Sequence, residues 1–196
     1  LSSGPGLAVS PARDRRHTGN PALPARDIRL LVLDVDGVLT DGTLLFDEEG
    51  CCYRRYHIRD GLAIRMWREV GRKVAILTSK TGGAIQARAT MMGIDLIEQG
   101  ADDKLPGFER ILSAAGVPAE QTAYMGDDLL DLVVMRRVGC AIAVADAAPE
   151  VRQIAHYVTS QPGGQAAVRE AVEYLLRNDG TWEAALAAIG ADRASR

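Results

Sequence analysis

Short apolar runs alternate with helix-type segments along most of this chain. Runs bounded by turn residues predict strands at Ile28–Asp34, Lys73–Thr78, Asp95–Gln99, Gln121–Gly126 and Cys140–Val144. The helix-type segments between them each end at a glycine that suits a helix C-terminus, and they span residues 61–71, 81–93, 104–116 and 128–139. A repeated strand–helix order predicts an α/β fold in which helices cover a parallel sheet.

Two stretches depart from this alternation. Residues 43–46 and 51–58 flank the turn-type sequence DEEG, which predicts a small β-hairpin projecting from the sheet edge. It is too short for a second domain and suits a flap or an assembly surface. Residues 1–27 are rich in Pro, Gly, Ser and Arg without periodicity, so we expect a disordered arm before a single domain at 28–189 and a tail at 190–196.

Composition excludes several classes of protein. The net charge of -3 gives no basis for a general nucleic-acid binder, and no apolar run approaches the roughly 20 residues of a membrane helix. The three cysteines lack the CxxC spacing of a structural zinc site. We therefore expect a reduced, cytoplasmic protein that binds neither nucleic acid nor membrane.

The residues with chemical potential follow the predicted strands. Asp34 and Asp36 end the first strand, Thr78 ends the second, and Lys104 begins a helix. Two further carboxylates, Asp127 and Asp128, follow the strand that starts at Gln121. The carboxyl ends of parallel strands share one edge of the sheet, so these side chains should converge there.

Several carboxylates at one point repel each other unless a cation neutralises them. An all-oxygen ligand set without Cys or His favours a hard ion, and a few carboxylates suit Mg²⁺ better than Ca²⁺. Together with a lysine and a hydroxyl, such a site predicts phosphoryl transfer, in which a carboxylate can act as the nucleophile.

Four segments, DVDGV (34–38), ILTS (76–79), Lys104 and GDDLLD (126–131), resemble in order and spacing the motifs of the haloacid dehalogenase superfamily of phosphatases. The resemblance implies a Rossmann-like fold, with Asp34 as the nucleophile and Asp36 as the general acid and then base. It also implies phosphate binding by Thr78 and Lys104. The implied Mg²⁺ ligands are Asp34, the backbone carbonyl of Asp36, and Asp127, with Asp128 and Asp131 orienting the ligands or the lysine.

Residues 28 to about 189 are similar to a narrower family, the phosphatases without a large cap domain that act on 3-deoxy-D-manno-octulosonate 8-phosphate, an intermediate of lipopolysaccharide sugar synthesis. Similar stretches include HIRDGLAIR (57–65), QGADDK (99–104) and AVADAAPEV (143–151). In that family the hairpins assemble a homotetramer, and neighbouring subunits complete each active site. This implies that Arg59 and Asp60 lie near the substrate and that Gly163, Gly164 and Arg169 reach a partner's pocket.

One departure bears on the substrate. The octulosonate phosphatases usually carry Gly-Arg after the threonine of the second motif, whereas this chain has Ser79 and Lys80, which we expect to contact the substrate. Lysine cannot form the bidentate hydrogen bonds that arginine makes to a carboxylate. The prediction is a Mg²⁺-dependent phosphatase for a keto-deoxy sugar-acid phosphate, with nonulosonate 9-phosphates as a rival substrate class. A non-catalytic assembly module of the same fold is the alternative from another class.

Overall fold

The computed structural model describes residues 27–100 and 102–191. The predicted N-terminal arm, apart from Asp27, and residues 192–196 of the predicted tail lie outside this range. In the described residues, the main sheet has six parallel strands in the order β5-β4-β1-β6-β7-β8. They are β1 Leu30–Leu33, β4 Lys73–Thr78, β5 Leu96–Gln99, β6 Thr122–Gly126, β7 Cys140–Ala143 and β8 Tyr157–Val158.

The central strand β1 explains the long apolar run in the sequence. All four of its side chains are buried, and it pairs with β4 on one side and β6 on the other. A strand covered on both faces reads as continuously apolar rather than alternating. Strands β4 and β5 lie on one side of β1, and the next strand along the chain, β6, lies on its other side. Sheets of α/β proteins bind ligands where the strand order reverses in this way, at the carboxyl ends of the strands, which here are those of β1, β4 and β6.

Two layers of helices cover the sheet, as predicted. The helices are α1 Ile58–Glu69, α2 Gly83–Met92, α3 Lys104–Ala115, α4 Leu132–Met135, α5 Pro149–Ile154, α6 Ala167–Asn178 and α7 Trp182–Ala188. Helix α1 contacts α2, α6 and α7, whereas α4 contacts α3 and α5. In α6 the buried residues recur at helical spacing, from Val168 to Val172 and Leu176, and form one apolar face against the core.

The structure confirms the predicted strands, the α/β class and a small hairpin, and it corrects some extents. The hairpin strands β2 Leu45–Phe46 and β3 Cys52–Tyr53 pair over only two positions. The helix predicted for residues 128–139 is shorter: a 3₁₀ turn at Leu129–Asp131 precedes the single turn of α4. Asp128 and Asp131 form a capping box there, which uses both side chains to begin the helix.

Candidate active site

The turn after β1 brings two aspartates to the sheet edge. Residues 35–39 form one wide turn closed by a 3.0 Å hydrogen bond from Thr40 N to Val35 O. Gly37 has a φ of 92°, and a Cβ atom there would lie 2.0 Å from Asp127 Oδ2. Only glycine allows this turn and the close approach of the carboxylate. The DxDG sequence therefore places its two aspartates beside the loop that follows β6.

The carboxyl ends of β1, β4 and β6 enclose a cavity of about 280 Å³. The predicted site residues that line it are Asp34, Asp36, Thr78, Ser79, Lys80, Lys104, Asp127, Asp128 and Asp131. The structure thus brings nine of the predicted residues, spread over almost a hundred positions of sequence, to one place. Gly42 and Leu130 complete the lining.

Lys104 lies at the centre of the polar contacts in this cavity. Its Nζ lies 2.8 Å from Asp34 Oδ2 and 2.6 Å from Asp131 Oδ1, and the side chain is 2% exposed. Burial lowers the pKa of this ammonium, but the two adjacent carboxylates outweigh burial, so its pKa lies above the ordinary value. Lys104 is therefore a positive charge fixed beside Asp34.

Asp131 uses both of its carboxylate oxygens to hold other groups. Oδ1 accepts from Lys104 and, at 2.6 Å, from the hydroxyl of Tyr124. Oδ2 accepts from the backbone N–H groups of Asp127 and Asp128 at 2.8 and 3.0 Å. A carboxylate engaged in this way has little capacity left for a metal, so its position is that of an orienting group. Tyr124 was not predicted, and its place in an apolar strand of the sequence carried no signal for this role.

The environment of the neighbouring carboxyl groups of Asp34 and Asp127 disfavours their ionised forms. Burial, partly offset by Lys104, raises the pKa of Asp34 to about 6. Burial, followed by repulsion from Asp131 and Asp34, raises the pKa of Asp127 to about 8. Both shifts mean that the positive charge of Lys104 only partly compensates the ionised forms of Asp34 and Asp127.

A divalent cation would supply the positive charge that the ionised forms of Asp34 and Asp127 need. Asp127 Oδ1 is buried and has no hydrogen-bond partner among the described residues. Asp34, Asp127 and Asp131 each offer an oxygen within 4.8 Å of the others, and of these Asp131 is already fully engaged. The hard oxygen donors of Asp34 and Asp127 suit Mg²⁺. The backbone carbonyl of Asp36, on the same turn, is the third ligand that the family resemblance implies.

The second strand contributes Thr78, which is 1% exposed at the end of β4. Its Oγ1 accepts a 3.3 Å hydrogen bond from Lys80 N, leaving the hydroxyl hydrogen to donate. Ser79 and Lys80 follow and line the same cavity. The dipeptide that departs from the family pattern therefore lies beside the candidate reaction centre.

Asp36 has a partner that sequence reasoning missed. Arg54, just after β3, donates from Nε to Asp36 Oδ1 at 2.7 Å and from Nη2 to Oδ2 at 3.1 Å. The Arg54 side chain is only 4% exposed. Two consecutive arginines in a hairpin are ordinarily both exposed to solvent. The sequence therefore could not show that Arg54, and not Arg55, is buried against Asp36.

Three predicted substrate-binding residues lie elsewhere in the single chain. Arg59 and Arg169 line a separate groove of about 610 Å³ between α1 and α6. Asp60 is buried beneath it and accepts a 2.8 Å hydrogen bond from Arg169 N. The structure does not bring these residues into the cavity that holds Asp34, and their contact with substrate remains a prediction.

The glycine-rich segment packs on the first motif of its own chain. Gly164 N donates to Val38 O at 3.0 Å, and Gly164 has a φ of 67°. A Cβ atom at Gly163 would lie 1.8 Å from Gly37 O. This contact braces the turn that carries Asp34 and Asp36.

Comparison with known proteins identifies the family. A model of haloacid dehalogenase-like hydrolases matches residues 68–171. The 3-deoxy-D-manno-octulosonate 8-phosphate phosphatase of Yersinia pestis is 41% identical over 152 residues, which cover 78% of this chain and 81% of that protein. The chain belongs to the haloacid dehalogenase superfamily. It is a phosphoric monoester hydrolase.

Solved structures agree with this membership. The crystal structure of the Yersinia pestis phosphatase matches with a TM-score of 0.79 and 40% identity, over 81% of this chain and 85% of that one. The 3-deoxy-D-manno-octulosonate 8-phosphate phosphatase of Moraxella catarrhalis, solved with magnesium ion, phosphate ion and KDO, matches with a TM-score of 0.80 and 34% identity, over 84% of this chain and 94% of that one. Among the described residues, no helix has the length and apolar character needed to cross a membrane.

Proposed function

We propose that this protein is a Mg²⁺-dependent phosphatase that hydrolyses 3-deoxy-D-manno-octulosonate 8-phosphate through a covalent intermediate on Asp34. The observation that carries the proposal is the cavity in which Asp34, Lys104 and Asp127 meet at the carboxyl edge of the sheet. The relatives named for this sugar phosphate are similar over 78% to 84% of this chain.

Asp34 has the environment of a nucleophile held in one orientation. Its Oδ1 accepts from Val35 N at 2.7 Å, and its Oδ2 faces Lys104 at 2.8 Å. In the first step a carboxylate oxygen attacks phosphorus and the ester bond to the sugar oxygen breaks, giving an aspartyl-phosphate. Asp36 gives its proton to the departing sugar oxygen.

The second step regenerates the enzyme. Asp36 removes a proton from a water molecule, which attacks phosphorus and breaks the bond between phosphorus and Asp34. The products are the free Asp34 carboxylate and inorganic phosphate. Thr78 and Lys104 hold the phosphoryl oxygens by a hydroxyl hydrogen bond and a fixed positive charge.

Asp34, Asp127 and the backbone carbonyl of Asp36 would hold Mg²⁺. When bound, the ion neutralises the carboxylate and phosphate charges and polarises the phosphoryl group. Asp131 fixes the backbone of Asp127 and the ammonium of Lys104, and Asp128 caps the next turn through Leu129 N at 2.8 Å. These two residues orient the ligands without binding the ion.

The presence of Ser79 and Lys80 makes nonulosonate 9-phosphates a second candidate class of substrate. These two residues line the cavity at a position where the octulosonate phosphatases usually carry an arginine that can grip a sugar-acid carboxylate. A nonulosonate 9-phosphate presents a longer sugar acid to the same phosphate site. The reaction chemistry is the same for both classes of substrate. A comparison of the rates at which the enzyme hydrolyses them is therefore needed to decide between the two.

The hairpin supports a homotetramer in which neighbouring subunits complete each site. Leu45, Phe46 and Tyr53 are 65%, 60% and 53% exposed, which is unusual for large apolar side chains grouped on one short element. A neighbour bound there would bring residues such as Arg59 and Arg169 of one chain towards the cavity of another. A monomeric mass by light scattering at micromolar concentration would contradict this assembly.

We place the reaction in the cytoplasm, in the synthesis of the lipopolysaccharide sugar acid. All three cysteines are free thiols, as expected for a reducing compartment.

Phosphate release with Mg²⁺ tests the function. The panel contains the octulosonate 8-phosphate, nonulosonate 9-phosphates and hexose phosphates, and kcat/KM is compared for each. Preference for the eight-carbon acid is the expected result. Preference for a nine-carbon acid would make Ser79 and Lys80 the specificity change, and a lack of turnover on the whole panel would favour the non-catalytic assembly module.

A further inference from the structure

Arg54 holds the side chain of Asp36 with two hydrogen bonds, and nothing in the established activity accounts for this contact. An arginine fork on a carboxylate fixes both the position and the plane of the acid. The Arg54 side chain is 4% exposed, which distinguishes this pair from surface ion pairs that contribute little.

The hairpin directs Arg54 inwards. Exposure alternates from the end of β3 onwards: Tyr53 and Arg55 are exposed, whereas Arg54 and Tyr56 are partly buried. A Cβ atom built on Gly82 would lie 3.6 Å from Arg54 Nη1, so the guanidinium lies between Asp36 and the start of α2.

A general acid acts only within hydrogen-bond reach of the oxygen that it protonates. A displacement of about 1 Å can cost about 100-fold in rate. Asp36 follows β1 on a wide turn, and among the described residues the hydrogen bonds that its carboxylate accepts are the two from Arg54.

We propose that Arg54 is the positioning residue of Asp36 and that the hairpin thereby sets the geometry of acid–base catalysis. This inference rests on the proposed function, because it takes Asp36 as the acid that protonates the leaving oxygen. Arg54 does not contact phosphate in this account and acts through Asp36 alone.

The test compares two substrates that differ in their need for an acid. The octulosonate 8-phosphate is an alkyl ester and releases an alkoxide, which needs a proton, whereas p-nitrophenyl phosphate releases a stable phenolate that does not. The parameter is kcat/KM, which covers the steps up to release of the alcohol and excludes the later hydrolysis of the aspartyl-phosphate. The quantity compared is the kcat/KM for the alkyl ester divided by the kcat/KM for p-nitrophenyl phosphate. This ratio does not depend on the fraction of folded enzyme.

Arg54→Gln should lower kcat/KM for the alkyl ester by roughly 10- to 100-fold and that for p-nitrophenyl phosphate by less than about threefold. Arg54→Lys, which keeps the charge without the fork, should give an intermediate ratio. Arg55→Gln is the matched control: it removes the same charge from the next residue, whose side chain is 84% exposed and pairs with Asp41. Its ratio should equal that of the wild type.

Asp36→Asn separates failure of this inference from failure of the proposed function. If Asp36→Asn lowers the ratio and Arg54→Gln leaves it unchanged, the positioning role is wrong while the acid role stands. A ratio that falls equally in Arg55→Gln would also overturn the inference, because general loss of charge would then explain the effect. If Asp36→Asn leaves the ratio unchanged, the acid role of Asp36 is wrong, and if the wild type hydrolyses neither ester, the proposed phosphatase function is wrong.

Discussion

Lys104 Nζ lies 2.6 Å from Asp131 Oδ1, and the two side chains are 2% and 1% exposed. The pair connects two parts of the site, because Lys104 also faces Asp34 while Asp131 holds the backbone of Asp127. Loss of either charge would leave the other buried with fewer partners, which costs more than loss of a surface pair. The position of the nucleophile therefore depends on a residue that need not touch substrate.

Asp131→Asn should lower the free energy of unfolding by about 3 kcal/mol, because one amide cannot replace the acceptors that Lys104, Tyr124 and two backbone N–H groups use. Urea unfolding with and without Mg²⁺ measures the loss. Asp128→Asn is the control, since asparagine caps a helix as well as aspartate does, and it should change stability by less than about 0.5 kcal/mol. Equal stability of the two variants would contradict the central role of Asp131.

Magnesium should stabilise the wild-type protein against heat by bringing positive charge to Asp34 and Asp127. At about 100 times its dissociation constant, the ion should add about 3 kcal/mol, or roughly 5–10 °C in Tm. Asp127→Asn should abolish this shift, because Asp127 Oδ1 is the buried oxygen without a partner in the described chain. Asp128→Asn should retain it. Loss of the shift in both variants, or in neither, would count against the ligand assignment.

The sequence predicted five of the six main-sheet strands that the described residues form, and the clustering of six site residues, because these depend on apolar periodicity and on the shared edge of parallel strands. The other three residues in the cavity, Ser79, Lys80 and Asp131, were expected there from the family resemblance. The sequence did not predict the contacts of Tyr124 and Arg54. In the sequence, Tyr124 looks like one more apolar residue of β6. Its hydroxyl donates to Asp131 on the following turn and accepts from Lys104 on α3. Such contacts depend on side-chain directions that periodicity does not encode.

The helix predicted for residues 128–139 was too long for a related reason. The helix-type segment was drawn as far as Gly139, whereas only Leu132–Met135 is α-helical and β7 begins at Cys140. The sequence pattern marks the glycine before the next strand and not the residue at which the α-helix ends. The separate groove that contains Arg59 and Arg169 was equally invisible to the sequence, because it requires the packing of α1 against α6.

Asp60 provides a pH test of its structural role. Burial raises its pKa to about 6, so between about pH 4 and pH 6 the folded state binds more protons than the unfolded state and stability falls as pH rises. Asp60→Asn removes this dependence while keeping an acceptor for Arg169 N. Relative to wild type, the variant should gain roughly 2 kcal/mol between about pH 4 and pH 7. A stability difference independent of pH would contradict this, and kcat/KM of the same variant tests the predicted substrate contact.

Gly163→Ala should weaken the support of the first motif. The added Cβ atom would lie 1.8 Å from Gly37 O, so the backbone must move, at a cost of about 2–3 kcal/mol and with a marked loss of kcat. Gly83→Ala is the matched control, because a Cβ atom there meets nothing within 4 Å and alanine favours helix. Thermal unfolding and phosphate release measure both variants. An unaffected Gly163→Ala enzyme would show that this contact does not support the turn.

The covalent step on Asp34 can be detected directly. Borohydride reduces an aspartyl-phosphate to homoserine, so quenching the enzyme with borohydride during turnover with Mg²⁺ and substrate, followed by peptide mass spectrometry, locates the reacting residue. We predict homoserine at position 34, absent without substrate and absent in Asp34→Asn. Unmodified Asp34 in an enzyme that is turning over, with the method validated on an acyl phosphate standard, would contradict the covalent mechanism.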